Sequence, residues 1–202
     1  MIFMIRKLEK MCADINFDEN IALKIIKQID INEEFKTYDF GLSTTFLEVA
    51  SSNSNLKMAT LLLNNGADPN KIFDGDSCTL WNLQYNYGET DEENEQRLKI
   101  TQLLLEHGAD PRIAPEQNGE NLFEWVLYEV FNGSLDELWE YRSRFFILLV
   151  AYGGKTTYCE PKIIKYFDKS DMRQYYFSLI PEANGQYSGE IHDKNKDTIA
   201  YI

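Results

Sequence analysis

Apolar residues recur along the chain in short clusters with the spacing of helices, and two of these clusters end in the same way. Residues 61–63 and 103–105 are all leucine, and a glycine follows each run three residues later, at Gly66 and Gly108. Glycine enters the left-handed conformation that ends a helix without a clash at Cβ. A proline three residues further on cannot continue a helix. The pattern therefore predicts two helices that end at residues 64–66 and 106–108.

These two helix ends belong to a longer internal repeat. Residues 61–70 read LLLNNGADPN, and residues 103–112 read LLLEHGADPR. A weaker copy, LLVAYGGK, occupies residues 148–155, so that the intervals between copies are 42 and 45 residues. A recurrence at this period indicates a stack of supersecondary units, each of which buries its apolar face against the next.

A shorter helical segment precedes each long one. These inner segments are predicted to begin at Thr45, Cys78 and Asn121, while Thr90 and Ser134 open the long outer helices of the second and third copies. Thr90 and Ser134 are each followed three residues later by glutamate, which is the spacing of a capping box. Each unit is therefore predicted as short helix, turn, longer helix and extended finger, and the extra residues of the later units are placed at the start of lengthened outer helices.

This unit resembles the ankyrin repeat, whose motifs are T-P-L-H-x-A in the inner helix and G-A-D-h-N after the outer helix. The matching positions are Thr45, Leu47, Ala50, Leu61, Leu62, Gly66, Ala67, Asp68 and Asn70 in the first repeat, Leu80, Leu103, Leu104, Gly108, Ala109 and Asp110 in the second, and Gly119, Phe123, Leu148, Leu149 and Gly153 in the third. The motif's proline is missing from all three inner helices, and Glu48, Trp81 and Glu124 replace its histidine.

The resemblance implies an all-α ankyrin-repeat solenoid of helix-turn-helix units with helical caps and a small C-terminal β-hairpin. Residues 1–39 are interpreted as an N-terminal helical capping repeat, and residues 40–157 as three ankyrin-like repeats. Residues 158–202 are interpreted as a C-terminal cap. In this cap, helices are predicted at 162–167 and 170–180, and strands at 187–192 and 198–202. Caps of this kind cover the apolar faces that a repeat array leaves at its ends.

The charge of the chain is strongly negative and unevenly distributed. The 202 residues carry a formal net charge of −13, of which residues 41–154 account for −11. Nucleic acids and anionic membranes attract basic surfaces, so neither is expected as a partner. The chain has no apolar run long enough to span a bilayer, and three widely spaced cysteines without a C-x-x-C pair fit a reducing compartment. We therefore expect a cytoplasmic protein.

Residues with catalytic or metal-binding chemistry are few. His107 falls in the last turn of an outer helix, where its partial positive charge suits the helix dipole. Cys78 begins an inner helix, a position that can activate a thiol, but packing is the simpler interpretation. Asp74 and Asp76 lack the ligand spacing of an EF-hand. No cofactor and no metal site are predicted, and the protein is not expected to be an enzyme.

Partners of ankyrin repeats are usually held by the finger tips and by the exposed side of the inner helices. Transferred position by position, this surface comprises Leu42, Thr44, Ser52, Asn53, Asp74, Ser77, Tyr85, Asn86, Glu116, Gln117, Glu120, Tyr128 and Glu129. Aromatic side chains supply binding energy at interfaces, and carboxylates set orientation and association rate. Tyr85 and Tyr128 can equally pack against the next repeat, and both alternatives stay open at this point.

Three functional hypotheses follow. The first is a non-enzymatic protein–protein interaction module whose partner is an unidentified protein, with a basic one favoured by charge. A narrower version is an antitoxin or immunity protein that neutralises a basic toxin. The third is an enzyme that uses Cys78, or Asp74 with Asp76. The sequence does not decide the identity of the partner, the oligomeric state, or whether the acidic surface serves binding or only solubility, because a scaffold does not imply a function.

Overall fold

The computed structural model describes residues 1–37, 41–85, 88, 90–113, 122–132, 139–152, 164–167, 174–181, 187–192 and 198–201. Its helices are α1 Ile2–Ala13, α2 Glu19–Ile26, α3 Phe46–Ser52, α4 Leu56–Asn64, α5 Thr79–Leu83, α6 Asp91–Glu106, α7 Leu122–Asn132 and α8 Trp139–Ala151. Its strands are β1 Phe35–Lys36, β2 Ser43–Thr44, β3 Ile72–Phe73, β4 Ser77–Cys78, β5 Ile164–Phe167, β6 Gln174–Pro181, β7 Tyr187–His192 and β8 Thr198–Tyr201.

The chain divides into two compact units. The first comprises Met1–Ala109 with Ala114–Gly119, and the second comprises Asp110–Ile113 with Glu120–Ile202. In the first unit the short helix α3 packs against α1, α4 and α5, and α4 packs against α6. The side chains that this packing buries completely include Leu8, Phe46, Met58, Leu62, Leu80 and Leu104. Burying such side chains is the main driving force for this arrangement, at about 1.5–3 kcal/mol each.

Two small hairpins project between the helix pairs of the first unit. Strands β1 and β2 pair antiparallel, with Phe35 opposite Thr44, and β3 and β4 pair with Phe73 opposite Ser77. The ring of Phe35 stacks on that of Phe46 with 4.4 Å between centroids, which fastens the first hairpin to the start of α3. At both places the chain forms a short β-hairpin where the sequence predicts an extended finger.

The predicted ends of the helices are confirmed where they are described. Gly66 and Gly108 have φ of +91° and +89°, which only glycine adopts without strain. Thr90 forms a complete capping box with Glu93 at the start of α6. Helix α6 has 16 residues against 9 in α4, and the additional turns lie before the leucine run, as predicted. Asn121, Ser134, Gly119 and Gly153 lie outside the described residues.

Asparagine side chains connect the first three helix pairs, α1–α2, α3–α4 and α5–α6. The Nδ2 of Asn32 donates to the carbonyl of Gly66 at 3.0 Å, and Asn32 Oδ1 accepts from the amide of Asp68 at 2.8 Å. Asn70 lies one unit further along the chain and donates in the same way to the carbonyl of Gly108 at 2.9 Å. The recurring D-x-N sequence therefore supplies a hydrogen-bonding link between successive helix pairs.

The second unit contains two packed helices and a sheet. Helices α7 and α8 contact one another, and the rings of Phe123 and Phe146 meet across them at 5.2 Å. The strands form one antiparallel sheet in the order β5-β6-β7-β8. The strands predicted at 187–192 and 198–202 correspond to β7 and β8, which pair with one another.

The prediction of two short helices in the C-terminal region is wrong. Where helices were expected at 162–167 and 170–180, the described residues form β5 and β6. Both segments are rich in isoleucine, tyrosine and phenylalanine, which favour strands. A two-stranded hairpin is only marginally stable, and two further strands complete a sheet. The second unit therefore combines helices with a four-stranded sheet and departs from the predicted all-α fold.

Candidate functional site

The two hairpins of the first unit carry four of the predicted contact residues. Leu42 precedes β2 and is 58% exposed, and Asp74 is exposed at the tip of the second hairpin. Ser77 in β4 is half-buried. Thr44 is only 5% exposed, so it supports the hairpin and presents almost no surface to a partner.

Three further predicted residues lie at the ends of the short helices. Ser52 ends α3 and is half-buried, while Asn53 follows it and is exposed. Tyr85 follows α5, is 44% exposed, and its ring lies 6.4 Å from that of Trp81, which is buried. Tyr85 is therefore partly accessible, and because Trp81 lies in the short helix that Tyr85 follows, packing of Tyr85 against the next repeat stays a prediction.

The remaining predicted residues do not contribute to a described surface in the first unit. Asn86, Glu116, Gln117 and Glu120 lie outside the described residues, as does the side chain of Tyr128. Glu129 belongs to the second unit, where its Oε2 lies 3.6 Å from Nη1 of Arg142. The candidate site is therefore built from the first unit alone.

Glu34 connects the two hairpins, although the sequence analysis did not single it out. Its Oε2 accepts from Oγ of Ser43 at 2.7 Å and from the amide of Asp74 at 3.2 Å. Lys71 Nζ lies 3.8 Å from Oε1. The bond from Ser43 does most to hold the pKa of this carboxyl below its ordinary value, followed by the bond from Asp74, with Lys71 adding a smaller attraction. An exposed carboxylate therefore ties one finger to the next.

A second carboxylate, Glu48, links the short helices from within. Its Oε1 accepts from Oγ of Ser52 at 2.7 Å and from Nδ2 of Asn82 at 3.0 Å. Asn82 Oδ1 in turn accepts from Oγ of Ser77 at 2.7 Å. This chain of hydrogen bonds runs from the end of α3 across α5 to the second hairpin. We use the name polar strip for the residues that belong to this chain or lie next to it in sequence or on the same hairpin, which are Ser52, Asn53, Asp74, Asp76, Ser77 and Asn82.

Arg97, on the lengthened helix α6, supports one end of this strip. Its Nη2 donates to the carbonyl of Ser52 at 2.6 Å, and its Nε donates to Oγ of Ser54 at 2.9 Å. Ser54 has a φ of +54°, an unusual conformation for a residue with a side chain. A buried guanidinium therefore fixes the turn between α3 and α4 and satisfies a carbonyl at the C-terminus of α3.

Glu48 is buried and incompletely hydrogen bonded. The side chain is 7% exposed, and its Oε2 accepts no hydrogen bond. Burial raises the pKa of Glu48 above its ordinary value, and the side chains of Ser52, Asn82 and Thr79 and the charge of Arg97 oppose this only in part. Removing a carboxylate from water costs more than two hydrogen bonds return.

The accessibility and the pKa of the Cys78 thiol are the opposite of what a catalytic nucleophile requires. Its Sγ accepts from the amide of Trp81 at 3.4 Å and so caps the N-terminus of α5. The side chain is fully buried, and this burial raises the pKa of the thiol to about 12. Nucleophilic thiols are accessible and have lowered pKa values.

Other chemistry is sparse in the described part of the chain. His107 has its Nδ1 2.9 Å from the carbonyl of Leu103, in the helix-end position predicted for it. Among the described residues, no three His, Cys, Asp or Glu side chains are grouped as a metal site requires. Within the same residues, no helix has both the length and the apolar character that crossing a membrane requires.

Comparison with known proteins adds no relative to this description. No protein-family model matches the chain, and no curated protein matches it.

The sequence predicted several residues on the surface of the site, but it did not predict the residues that hold them in place. In the sequence Glu48 stands out as a departure from the ankyrin motif, and nothing marks Asn82 or Arg97 as residues of a site. One signal was available, because Glu48 and Ser52 have the i, i+4 spacing that places two side chains on one face of a helix. The bond between Glu48 and Asn82 joins residues 34 positions apart, and no local pattern predicts it.

Proposed function

We propose that the chain is an ankyrin-type repeat protein that binds another protein through its finger hairpins and the exposed ends of its short helices. Support comes from the recurrence of helix pair, glycine end and hairpin. It also comes from the asparagine links at Asn32 and Asn70, which give successive repeats the same connection. Protein binding by rigid surface complementarity needs such a scaffold more than it needs reactive groups.

The observation that carries this proposal is the way two carboxylates, one exposed and one buried, hold the predicted contact surface. Glu34 joins the two hairpins, and Glu48 joins α3 to α5, so that both carboxylates fix neighbouring elements in one arrangement. A surface that is ordered before binding loses less conformational entropy when a partner arrives. Scattered solubilising charges would not need such internal connections.

The charge of the surface favours a basic partner. Asp74 and Asp76 are both exposed at the tip of the second hairpin, and residues 41–154 carry most of the negative charge of the chain. Complementary charge accelerates association and fixes orientation. A basic toxin is one partner of this kind, and the absence of a toxin-like reading frame beside the gene would leave this version without support.

The buried Cys78 thiol gives no support to the enzyme hypothesis, and we propose a non-enzymatic role. The proposal is tested by capturing partners from the source cell at low and moderate salt. The variant Asp74→Ala/Tyr85→Ala removes one exposed acid and one exposed aromatic from the proposed surface. Phe3→Ala/Glu92→Ala removes the same two kinds of side chain elsewhere. Loss of a captured protein with the first variant but not the second supports the proposal, and equal recovery with both would sink the proposed surface.

A further inference from the structure

Glu48 fixes the direction of the hydrogen bonds along the polar strip. Oε1 of Glu48 accepts from both Ser52 and Asn82, so Asn82 must turn its amide nitrogen toward Glu48 and its carbonyl oxygen toward Ser77. The hydroxyl of Ser77 must then donate to Asn82. The hydroxyl of Ser52 is likewise committed as a donor to Glu48. One buried side chain therefore determines which atoms of the strip donate and which accept.

The consequence is a surface dominated by hydrogen-bond acceptors. Each serine hydroxyl has a single hydrogen, and in Ser52 and Ser77 that hydrogen points inward, so only lone pairs remain for a partner. Asn53 gives one amide hydrogen to the carbonyl of Val49 at 2.8 Å, which leaves its side-chain oxygen as an acceptor. Asp74 and Asp76 add two carboxylates. The two asparagines keep one N–H each, and acceptors outnumber these donors.

The second oxygen of Glu48 is a further acceptor beneath the strip. Oε2 is buried and has no hydrogen-bond partner in bonding geometry, and the side chain of Thr79 does less than Ser52 and Asn82 to lower the pKa of this carboxyl. The other charged or titratable groups that interact with Glu48 are Arg97 from α6 and the thiol of Cys78 at the start of α5. Arg97 donates hydrogen bonds to Ser52 and Ser54, and Cys78 cannot supply positive charge.

We infer that the polar strip binds an arginine-rich segment of a partner protein, and that Glu48 selects this class by making the strip an acceptor surface. Arginine presents five N–H donors in a planar fork and keeps its charge at any physiological pH. Lysine offers fewer and less directional donors, and an acidic segment would meet acceptors and carboxylates alone. This inference rests on the proposed function and specifies the partner for the same surface.

The test uses the full chain and three peptides of equal length, in which serine alternates with arginine, lysine or glutamate. Amide resonances are followed at about 0.15 M salt, where the Debye length of about 8 Å suppresses long-range attraction. We expect the arginine peptide to shift the amides of Ser52, Asn53 and Ser77 before those of the acidic first turn of α6. The lysine peptide should bind more weakly at the same place, and the glutamate peptide should cause no shift.

The decisive variant is Glu48→Gln, because it leaves every exposed charge in place. Glutamine can donate to Asn82, which allows the amide to turn and frees the hydroxyl hydrogen of Ser77. We expect Glu48→Gln to bind the arginine peptide about fivefold more weakly, and the matched charge control Glu92→Gln on α6 to change the affinity by less than about twofold. An unchanged spectrum of backbone amides away from the strip shows that each variant is folded.

Each result bears on one proposal. Equal weakening by Glu48→Gln and Glu92→Gln, arginine shifts centred on α6, or no shift with any peptide would overturn the arginine inference. Binding of the glutamate peptide at the strip would overturn it as well. The proposed function fails separately, when the Asp74→Ala/Tyr85→Ala variant recovers every captured protein. A captured partner that binds the strip through an acidic or uncharged segment would preserve the proposed function and reject the inference.

Discussion

The Nδ2 of Asn82 donates to Oε1 of Glu48 at 3.0 Å, and this bond joins two successive short helices through a buried carboxylate. An apolar pair at the same place would hold α3 to α5 without the desolvation of a charge. The carboxylate instead gives this contact a defined geometry, because its hydrogen bonds to Ser52 and Asn82 connect the end of α3 with the hairpin β3–β4 beside α5. We therefore expect Glu48 to reduce stability while it orders the surface, and the two effects can be measured separately.

We expect Glu48 to make folding less favourable as the pH rises. Burial raises the pKa of the folded state above the ordinary 4.5. Below pH 4.5 the side chain is neutral in both states. Above 4.5 the unfolded chain loses its proton first, so the free energy of unfolding falls until the pH passes the folded pKa. The loss is about 1.4 kcal/mol for each unit by which folding raises the pKa.

The measurement is urea unfolding of the wild type and Glu48→Gln between pH 4 and pH 8. As the pH rises above 4.5, the free energy of unfolding of Glu48→Gln should increase relative to that of the wild type. This difference should become constant once the pH exceeds the folded pKa of Glu48. Glu92→Gln, which removes an exposed acid from α6, is the control for the loss of one negative charge. Parallel curves for the wild type and Glu48→Gln would contradict a raised pKa at this position.

Replacing Asn55 by alanine should destabilise the first unit. Asn55 is 1% exposed, its Nδ2 donates to the carbonyls of Cys12 and Asp14 at 3.1 Å, and its Oδ1 accepts from the amide of Met58 at 3.0 Å. The change removes an N-cap and leaves backbone groups without partners, at a cost of about 3 kcal/mol. Asn53→Ala removes an exposed asparagine and should cost less than about 1 kcal/mol. Equal unfolding midpoints for the two variants would show that Asn55 does not connect α1 to α4.

The local features of the fold could be predicted from sequence because local chemistry determines them. The glycine ends at Gly66 and Gly108 need a conformation that other residues resist, and the capping box at Thr90 needs only residues three apart. The lengthening of α6 followed from the position of that box. These signals act within one turn of chain, so packing elsewhere does not change them.

The features that the sequence did not predict depend on contacts between distant residues. Residues 174–181 could form a helix or a strand, and pairing with β5 and β7 decides for the strand. In the candidate site, Glu48, Asn82 and Arg97 lie on three different helices. Thr44 was predicted from its motif position, but the stacking of Phe35 on Phe46 closes the hairpin beside it and leaves it buried.

Cys78 should react slowly with thiol reagents at neutral pH. A pKa of about 12, against an ordinary 9.0, lowers the thiolate fraction about a thousandfold, and burial adds a steric barrier. The experiment uses a variant in which Cys12 and Cys159 are alanine, so that labelling reports Cys78 alone. Labelling should reach the rate of a free peptide thiol only in denaturant. A fast reaction in the folded protein would revive the hypothesis of an enzyme that uses this thiol.

Glu34 should hold the two finger hairpins together only while it is ionised. The bonds from Ser43 and from the amide of Asp74 lower its pKa below 4.5. Its contribution is therefore complete above pH 4.5, where the unfolded side chain is ionised too, and it disappears as the pH falls through the lower folded value. In Glu34→Ala the amide of Asp74 loses its acceptor, and its hydrogen exchange should become about tenfold faster.

Glu33→Ala is the matched control, because Glu33 is the neighbouring exposed acid and its side chain makes no hydrogen bond or ion pair among the described residues. The Asp74 amide resonance should also show a titration step below pH 4.5 in the wild type and in Glu33→Ala that Glu34→Ala lacks. If the exchange rate and this titration step were unchanged in Glu34→Ala, the two hairpins would be held by their own packing and not by the carboxylate between them.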